Sequence, residues 1–114
     1  MGCHAAGAAE LLGDRLKVDS VLSDYRTAPI SEAERALFAF LEKVNGNAAA
    51  IGQADLDALH AAGWSDEAIY DAINVCGLFN FFNRWVDATG VRKMTPEGYG
   101  ESGKRLASRG YILK

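Results

Sequence analysis

One stretch of this chain restricts its fold more than any other. Between positions 69 and 86 the apolar residues Ile69, Ala72, Ile73, Val75, Cys76, Leu78, Phe79, Phe81, Phe82, Trp85 and Val86 recur on nearly every side of a helix, a pattern that suits a helix surrounded by protein. Ser65 supplies an N-cap, Asp66 and Glu67 place acidic groups in the first turn, and Gly90 follows the last periodic residue, so a helix is predicted over 66–89. The sequence has 114 residues, one domain's worth, and a monomer of that size struggles to enclose such a helix. Part of it is therefore expected to pack against another subunit, making the protein a homo-oligomer.

The flanking segments are also helical in pattern. No alternating β-branched run of strand length occurs, and Val and Ile are dispersed among Ala, Leu, Glu and Lys, so the expected class is all-α, a helical bundle in one domain over 1–114. An Ala-rich helix over 3–12 stops at Gly13, and Asp14 caps a short helix that carries Leu16, Val18, Val21 and Leu22 mostly on one side until Pro29 prevents continuation. Ser31 and Glu34 have the spacing of a capping box, opening a helix whose buried face is Ala36, Leu37, Phe40, Leu41 and Val44 and whose end is expected at Asn45-Gly46-Asn47. A short helix over 54–62 turns Leu56 and Leu59 inward and stops at Gly63. Thr95 and Pro96 start a last helix reaching about Arg109. Gly98, Gly100 and Gly103 each weaken it by about 1 kcal/mol, so it is expected to depend on docking through Tyr99 and Leu106, with Tyr111, Ile112 and Leu113 anchoring the tail.

Charge and composition exclude several functions. The net charge of -3 and the absence of any basic cluster longer than Lys104-Arg105 argue against nucleic acid as a partner. No run approaches the ~18 apolar residues needed to cross a bilayer, and the start lacks a secretory pattern, so the protein is expected to be cytoplasmic and not membrane-bound. The cysteines, Cys3 and Cys76, are too few and too far apart for a disulfide framework. Cys76, inside the apolar helix, reads as a small buried hydrophobe. His60 has Gly63 and Trp64 at the next helical positions, so no metal site is expected there, and no cofactor is expected.

The long helix and its approach read Ala61-Ala62-Gly63-Trp64-Ser65-Asp66-Glu67-Ala68-Ile69, then Leu78-Phe79-Asn80-Phe81-Phe82-Asn83-Arg84. Together with Asp24-Tyr25-Arg26-Thr27-Ala28-Pro29, these segments resemble the alkylhydroperoxidase D / carboxymuconolactone decarboxylase family, in particular its peroxidase-related branch, over residues 3–91. The resemblance implies a thiol-dependent peroxidase fold of the oxidoreductase class. In that family the chemistry belongs to a C-x-x-C-x-x-x-H motif at the start of a helix, where the dipole favours thiolate and the histidine transfers protons. Counted back from Gly13-Asp14, the histidine of the motif falls on His4 and both cysteines fall ahead of Met1. The chain is thus expected to be the C-terminal part of the family domain, with Cys3 adjoining His4 and not standing in the motif's own register.

Two functional readings follow. In the first the chain is a peroxidase-related enzyme with Cys3 as the peroxide-reactive thiol, His4 as its proton-transfer partner, a peroxide as substrate and a thiol as reductant, and with Phe79, Asn80, Asn83, Arg84 and Trp85 walling a pocket or supporting the redox helix. In the second it is a non-catalytic helical assembly domain, or the product of a start site inside a longer gene. The plainer reading of Asn80, Asn83 and Arg84 is structural pairing with backbone or with Asp71 and Asp87, and that of Cys3 and His4 is a frayed helix start.

Overall fold

The computed structural model describes residues 2–112. Among them the regular structure is wholly helical: α1 Gly2–Leu12, α2 Arg15–Asp24, α3 Glu32–Asn47, a 3₁₀ turn Ala48–Ala50, α4 Gln53–Ala61, α5 Asp66–Ala88 and α6 Pro96–Arg109. No strand is present among the described residues. The helices fall into two compact units, one spanning Ile30–Gly90 and one formed by the chain before it together with the chain after it.

The continuous unit is organised by its helix ends. The Ser31 hydroxyl accepts from the Glu34 amide at 3.1 Å and the Glu34 carboxylate accepts from the Ser31 amide at 2.8 Å, which satisfies two donors that the first turn of α3 leaves without helical partners. Ser65 caps α5 in the same way, its hydroxyl accepting from the Ala68 amide at 3.2 Å. Gly63 takes a φ of 98°, a left-handed turn that ends α4 and that a side chain would resist. These stops bring α3, α4 and the first turns of α5 together around Phe40, Leu59 and Ile69, with Leu37, Leu41, Leu56 and Trp64 packed against them. The Trp64 indole N–H donates to the Ala33 carbonyl at 2.8 Å, so the polar edge of a mostly apolar side chain finds a partner inside the unit.

The end of α3 falls within the expected Asn45-Gly46-Asn47, though not through a left-handed glycine. Gly46 does not adopt positive φ and so provides no left-handed stop. The helix runs on to Asn47, where φ -154° and ψ 72° turn the chain into the 3₁₀ segment.

Lys43 of α3 holds the Asp55 carboxylate of α4 with contacts of 2.8 and 2.9 Å, and the same carboxylate accepts from the Gly52 amide at 2.9 Å. The Lys43 hydrogen bond, followed by that from Gly52, keeps Asp55 below the usual carboxylate range. A depressed carboxylate adds stability above its unfolded-state pKa of about 3.9 and loses it as pH falls through the lower folded value. Asp55→Asn is therefore expected to flatten the fall in melting temperature between about pH 5 and pH 2.5. Circular dichroism melts across that range check it, and parallel curves for the two proteins would contradict it.

The discontinuous unit rests on α1 against α6, with α2 on α1. Asp14 caps α2 by accepting from the Lys17 amide at 2.9 Å, and Thr95 caps α6 by accepting from the Gly98 amide at 3.2 Å. Ala6, Gly7, Ala9 and Gly103 are buried, so the two helices meet through small residues. A Cβ built on Gly103 would lie 2.6 Å from the Ala6 Cβ and 2.7 Å from the Ala6 carbonyl carbon. Leu106 faces Gly7, and the Tyr99 ring lies beside Gly2. Docking through Tyr99 and Leu106 is thus joined by a contact that the sequence reading treated only as a helix weakness.

Two other apolar expectations are corrected. On α2 only Val18 is buried, whereas Leu16 and Leu22 are exposed. At the tail, Tyr111 and Ile112 are exposed; Tyr111 is held by its hydroxyl and not by burial, and Leu113 lies outside the described residues.

Candidate functional site

Cys3 and His4 occupy the first turn of α1. Cys3 is a free, half-buried thiol. Consecutive helical residues diverge by roughly 100° about the axis, so the backbone does not aim the Cys3 sulfur at the His4 ring. The His4 Nε2 is paired with the Tyr111 hydroxyl, their rings 6.2 Å apart and inclined at 41°. Partial burial is the main cause of a His4 pKa below the ordinary imidazole value, because burial disfavours the charged ring. His4 is thereby held toward its neutral form, in which one ring nitrogen can accept a proton. The structure thus adds Tyr111 to the expected pair. It lies 107 positions from His4, and no spacing motif could have revealed it.

The second group of candidates lies on α5, in the continuous unit. Phe79 and Asn80 are half-buried, while Asn83, Arg84 and Trp85 are exposed, like every residue from Phe81 to Gly90. Arg84 turns back on its own helix, with Nη1 donating to the Asn80 carbonyl at 3.0 Å and to the Asn80 side-chain oxygen at 3.2 Å. Its partner is therefore Asn80, through backbone and side chain, which is the backbone alternative of the expected structural pairing and not the one with Asp71 or Asp87. The Asn80 amide nitrogen lies 3.7 Å from the Cys76 sulfur, and Cys76 itself is half-buried, less enclosed than its apolar surroundings in sequence suggested. Structural pairing within one helix accounts for Asn80 and Arg84.

His60 at the end of α4 meets Asp66 at 2.6 Å, an exposed pair that ties α4 to the start of α5. Asp66, Glu67, Tyr70 and Asp71 line a wide surface depression. Among the described residues no three His, Cys, Asp or Glu side chains are placed to hold a metal ion, and no helix is long and apolar enough to cross a membrane.

These features define an all-helical protein with a thiol and a tyrosine-paired imidazole at the start of one helix. The chain is similar to an uncharacterized peroxidase-related protein from Silicibacter sp. TM1040, with 31% identity over 87% of this chain and a TM-score of 0.79. That likeness supports a peroxidase-related family. The chain spans about half of that protein's length, 51%. The sequence matches no family model, and no curated protein matches it.

Proposed function

We propose that the chain carries an alkylhydroperoxidase D-like, peroxidase-related function in which Cys3 reduces peroxides at the expense of an external thiol. The observation that supports this most is the likeness to the peroxidase-related protein at 31% identity and TM-score 0.79, joined to a partly accessible Cys3 beside a histidine kept toward neutrality. The Cys3 thiolate attacks the peroxide oxygen distal to the organic group, the O–O bond breaks, and the alkoxide leaves as alcohol after taking a proton. Cys3 is oxidised to sulfenic acid and the peroxide is reduced. Because the helix does not aim the Cys3 sulfur at the His4 ring, the thiol proton reaches His4 through solvent and His4 returns one to the leaving oxygen, with Tyr111 holding its Nε2. A reductant thiol then condenses with the sulfenic acid, releasing water and forming a mixed disulfide. A second thiol attacks that disulfide, which restores Cys3 and yields the oxidised reductant.

A non-catalytic assembly domain is the second reading. It draws support from the run of exposed residues from Phe81 to Gly90, at the end of α5 and just past it, which offers a surface for association. One experiment separates the two. Peroxide consumption in the presence of a small dithiol is expected to fall to background in Cys3→Ser, a loss of tenfold or more, while Cys76→Ser retains activity. Equal background rates in the unaltered chain and in Cys3→Ser would favour the assembly reading.

A further inference from the structure

The two units divide the charge of the chain unequally. The continuous unit carries three Lys and Arg against nine Asp and Glu, a net of -6, and the discontinuous unit carries nine against six, a net of +3. The whole-chain charge of -3 therefore conceals a positive unit, and that unit is the one holding Cys3 and His4. Its charge is not consumed internally. Arg15, Arg26 and Lys104 pair with Asp19, Asp24 and Glu101, whereas Arg92, Lys93, Arg105 and Arg109 are exposed and make no ion pair among the described residues. Outside those pairs the unit's carboxylates are Glu10, Glu97 and Asp14, and Asp14 already accepts from the Lys17 amide.

Two of the unpaired cations lie close to the thiol. The Tyr99 ring sits against Gly2, the residue before Cys3, and the Tyr99 hydroxyl accepts from the Met94 amide at 3.2 Å. Met94 directly follows Arg92-Lys93, so these contacts bring the Lys93 backbone within about 10 Å of Gly2. The first turn of α1 has no acidic residue to oppose them. Charges act over about 10 Å at 0.1 M salt and about 30 Å at 0.01 M, so the start of α1 lies within reach of this charge.

Building on the reading of Cys3 as a peroxide-reducing thiol, we infer that its reductant is an anionic small thiol, one bearing a carboxylate, drawn in by the positive unit. The chemistry points to the reductant and not the peroxide as the charged partner. A peroxide reacts as a neutral molecule, whereas the nucleophile that resolves the mixed disulfide is a thiolate. It forms a bond to the reductant sulfur already in place, the bond from that sulfur to Cys3 breaks, and Cys3 departs as thiolate. Negative charge stands on the attacking and on the leaving sulfur, so fixed positive charge nearby offsets repulsion through the whole step. A carboxylate on the reductant adds to the attraction during approach.

Thiol–disulfide exchange at Cys3 tests this, read in Cys76→Ser so that one thiol reports. The probes are dithiobis(nitrobenzoate), a dianion, and dithiodipyridine, which is neutral. Raising NaCl from about 10 to 500 mM is expected to slow the dianion threefold or more. The whole-chain charge of -3 predicts the opposite sign, a dianion rate that climbs with salt. At low salt the ratio of dianion to neutral rate is expected to fall threefold or more when Arg92→Gln and Lys93→Gln are combined. In a second arm, the thiopyridyl adduct left on Cys3 is reduced by mercaptopropionate or by cysteamine, and salt is expected to slow the first more steeply than the second. Should Cys76→Ser fail to fold, the unaltered chain gives the same readings once the Cys3 and Cys76 peptides are separated by mass spectrometry. A dianion rate that climbs with salt, a probe ratio untouched by the double variant, or equal salt responses for the two reductants overturns the inference. No peroxide enters these reactions, so a failure of charge steering and a failure of peroxide reduction are read separately.

Discussion

Leu59→Ala is expected to destabilise the continuous unit by about 2–5 kcal/mol, the range for removing a buried leucine and leaving an unfilled cavity. Leu59 is the most enclosed large side chain among the described residues at 2% exposure, and it sits between Phe40 and Ile69 with Trp64 alongside. A cavity there is bordered by three helices held at their ends by Ser31, Gly63 and Ser65, so the walls have little freedom to collapse inward. The stability of a domain this size is on the order of 5–15 kcal/mol, and the substitution removes a large share of it. Urea unfolding followed by tryptophan fluorescence measures the loss, because Trp64 packs on this core and gives its indole N–H to Ala33. Leu11→Ala, at a position 73% exposed, serves as the control and should change stability by less than about 0.5 kcal/mol. A Leu59→Ala midpoint equal to that of the control would show that the core has been misplaced.

Gly103→Ala is expected to destabilise the discontinuous unit even though it favours the helix in isolation. Alanine gains about 1 kcal/mol of helix propensity over glycine, which for an exposed position would make the change stabilising. At this crossing the new methyl would meet the Ala6 Cβ at 2.6 Å, the Ala6 carbonyl carbon at 2.7 Å and the Gly7 nitrogen at 2.9 Å. Two of those three atoms are backbone, which no rotamer change can move. The helices must separate or shear, and overpacking of that kind costs about 1–3 kcal/mol or more. Gly100→Ala on the same helix, where an added Cβ meets nothing within 4 Å, should be neutral or stabilising. Opposite signs for these two glycines, read by hydrogen exchange in α1 and α6, would locate the close approach; equal signs would refute it.

These two glycines also show what a sequence can and cannot declare. Helix ends were legible because their chemistry is local. Ser31 with Glu34, Asp14, Ser65, Thr95 with Pro96, and the stops at Gly13, Gly63 and Gly90 all act within a few residues, and the helices start and finish close to where those groups predict. The end of α3 also falls within the predicted Asn45-Gly46-Asn47, although Gly46 does not take the left-handed conformation that ends other helices here. Burial was legible where the period selects one face, as for Phe40, Leu59 and Ile69. It failed on α2, because an apolar residue at helical spacing shows which side it takes and not whether anything covers that side. The contrast between Gly103 and Gly100 depends on what lies across the crossing, and no local rule contains that information. The candidate site was legible by half. Cys3 and His4 came from resemblance and register, whereas the Tyr111 hydroxyl that engages His4 required knowledge of a pairing between opposite ends of the sequence.

The order of the chain within its two units has a consequence for synthesis. Ile30–Gly90 is contiguous and can condense as soon as it clears the ribosome. The α1 helix precedes that unit and has to wait for α6, which follows it, before its small-residue face finds a mate. Bringing those segments together across an unstructured intervening chain is entropically costly, and prior folding of the middle shortens the span to be closed. The small-residue face of α1, with Ala6 and Ala9, therefore stays without its mate until α6 has been made, and the arrival of α6 completes its packing.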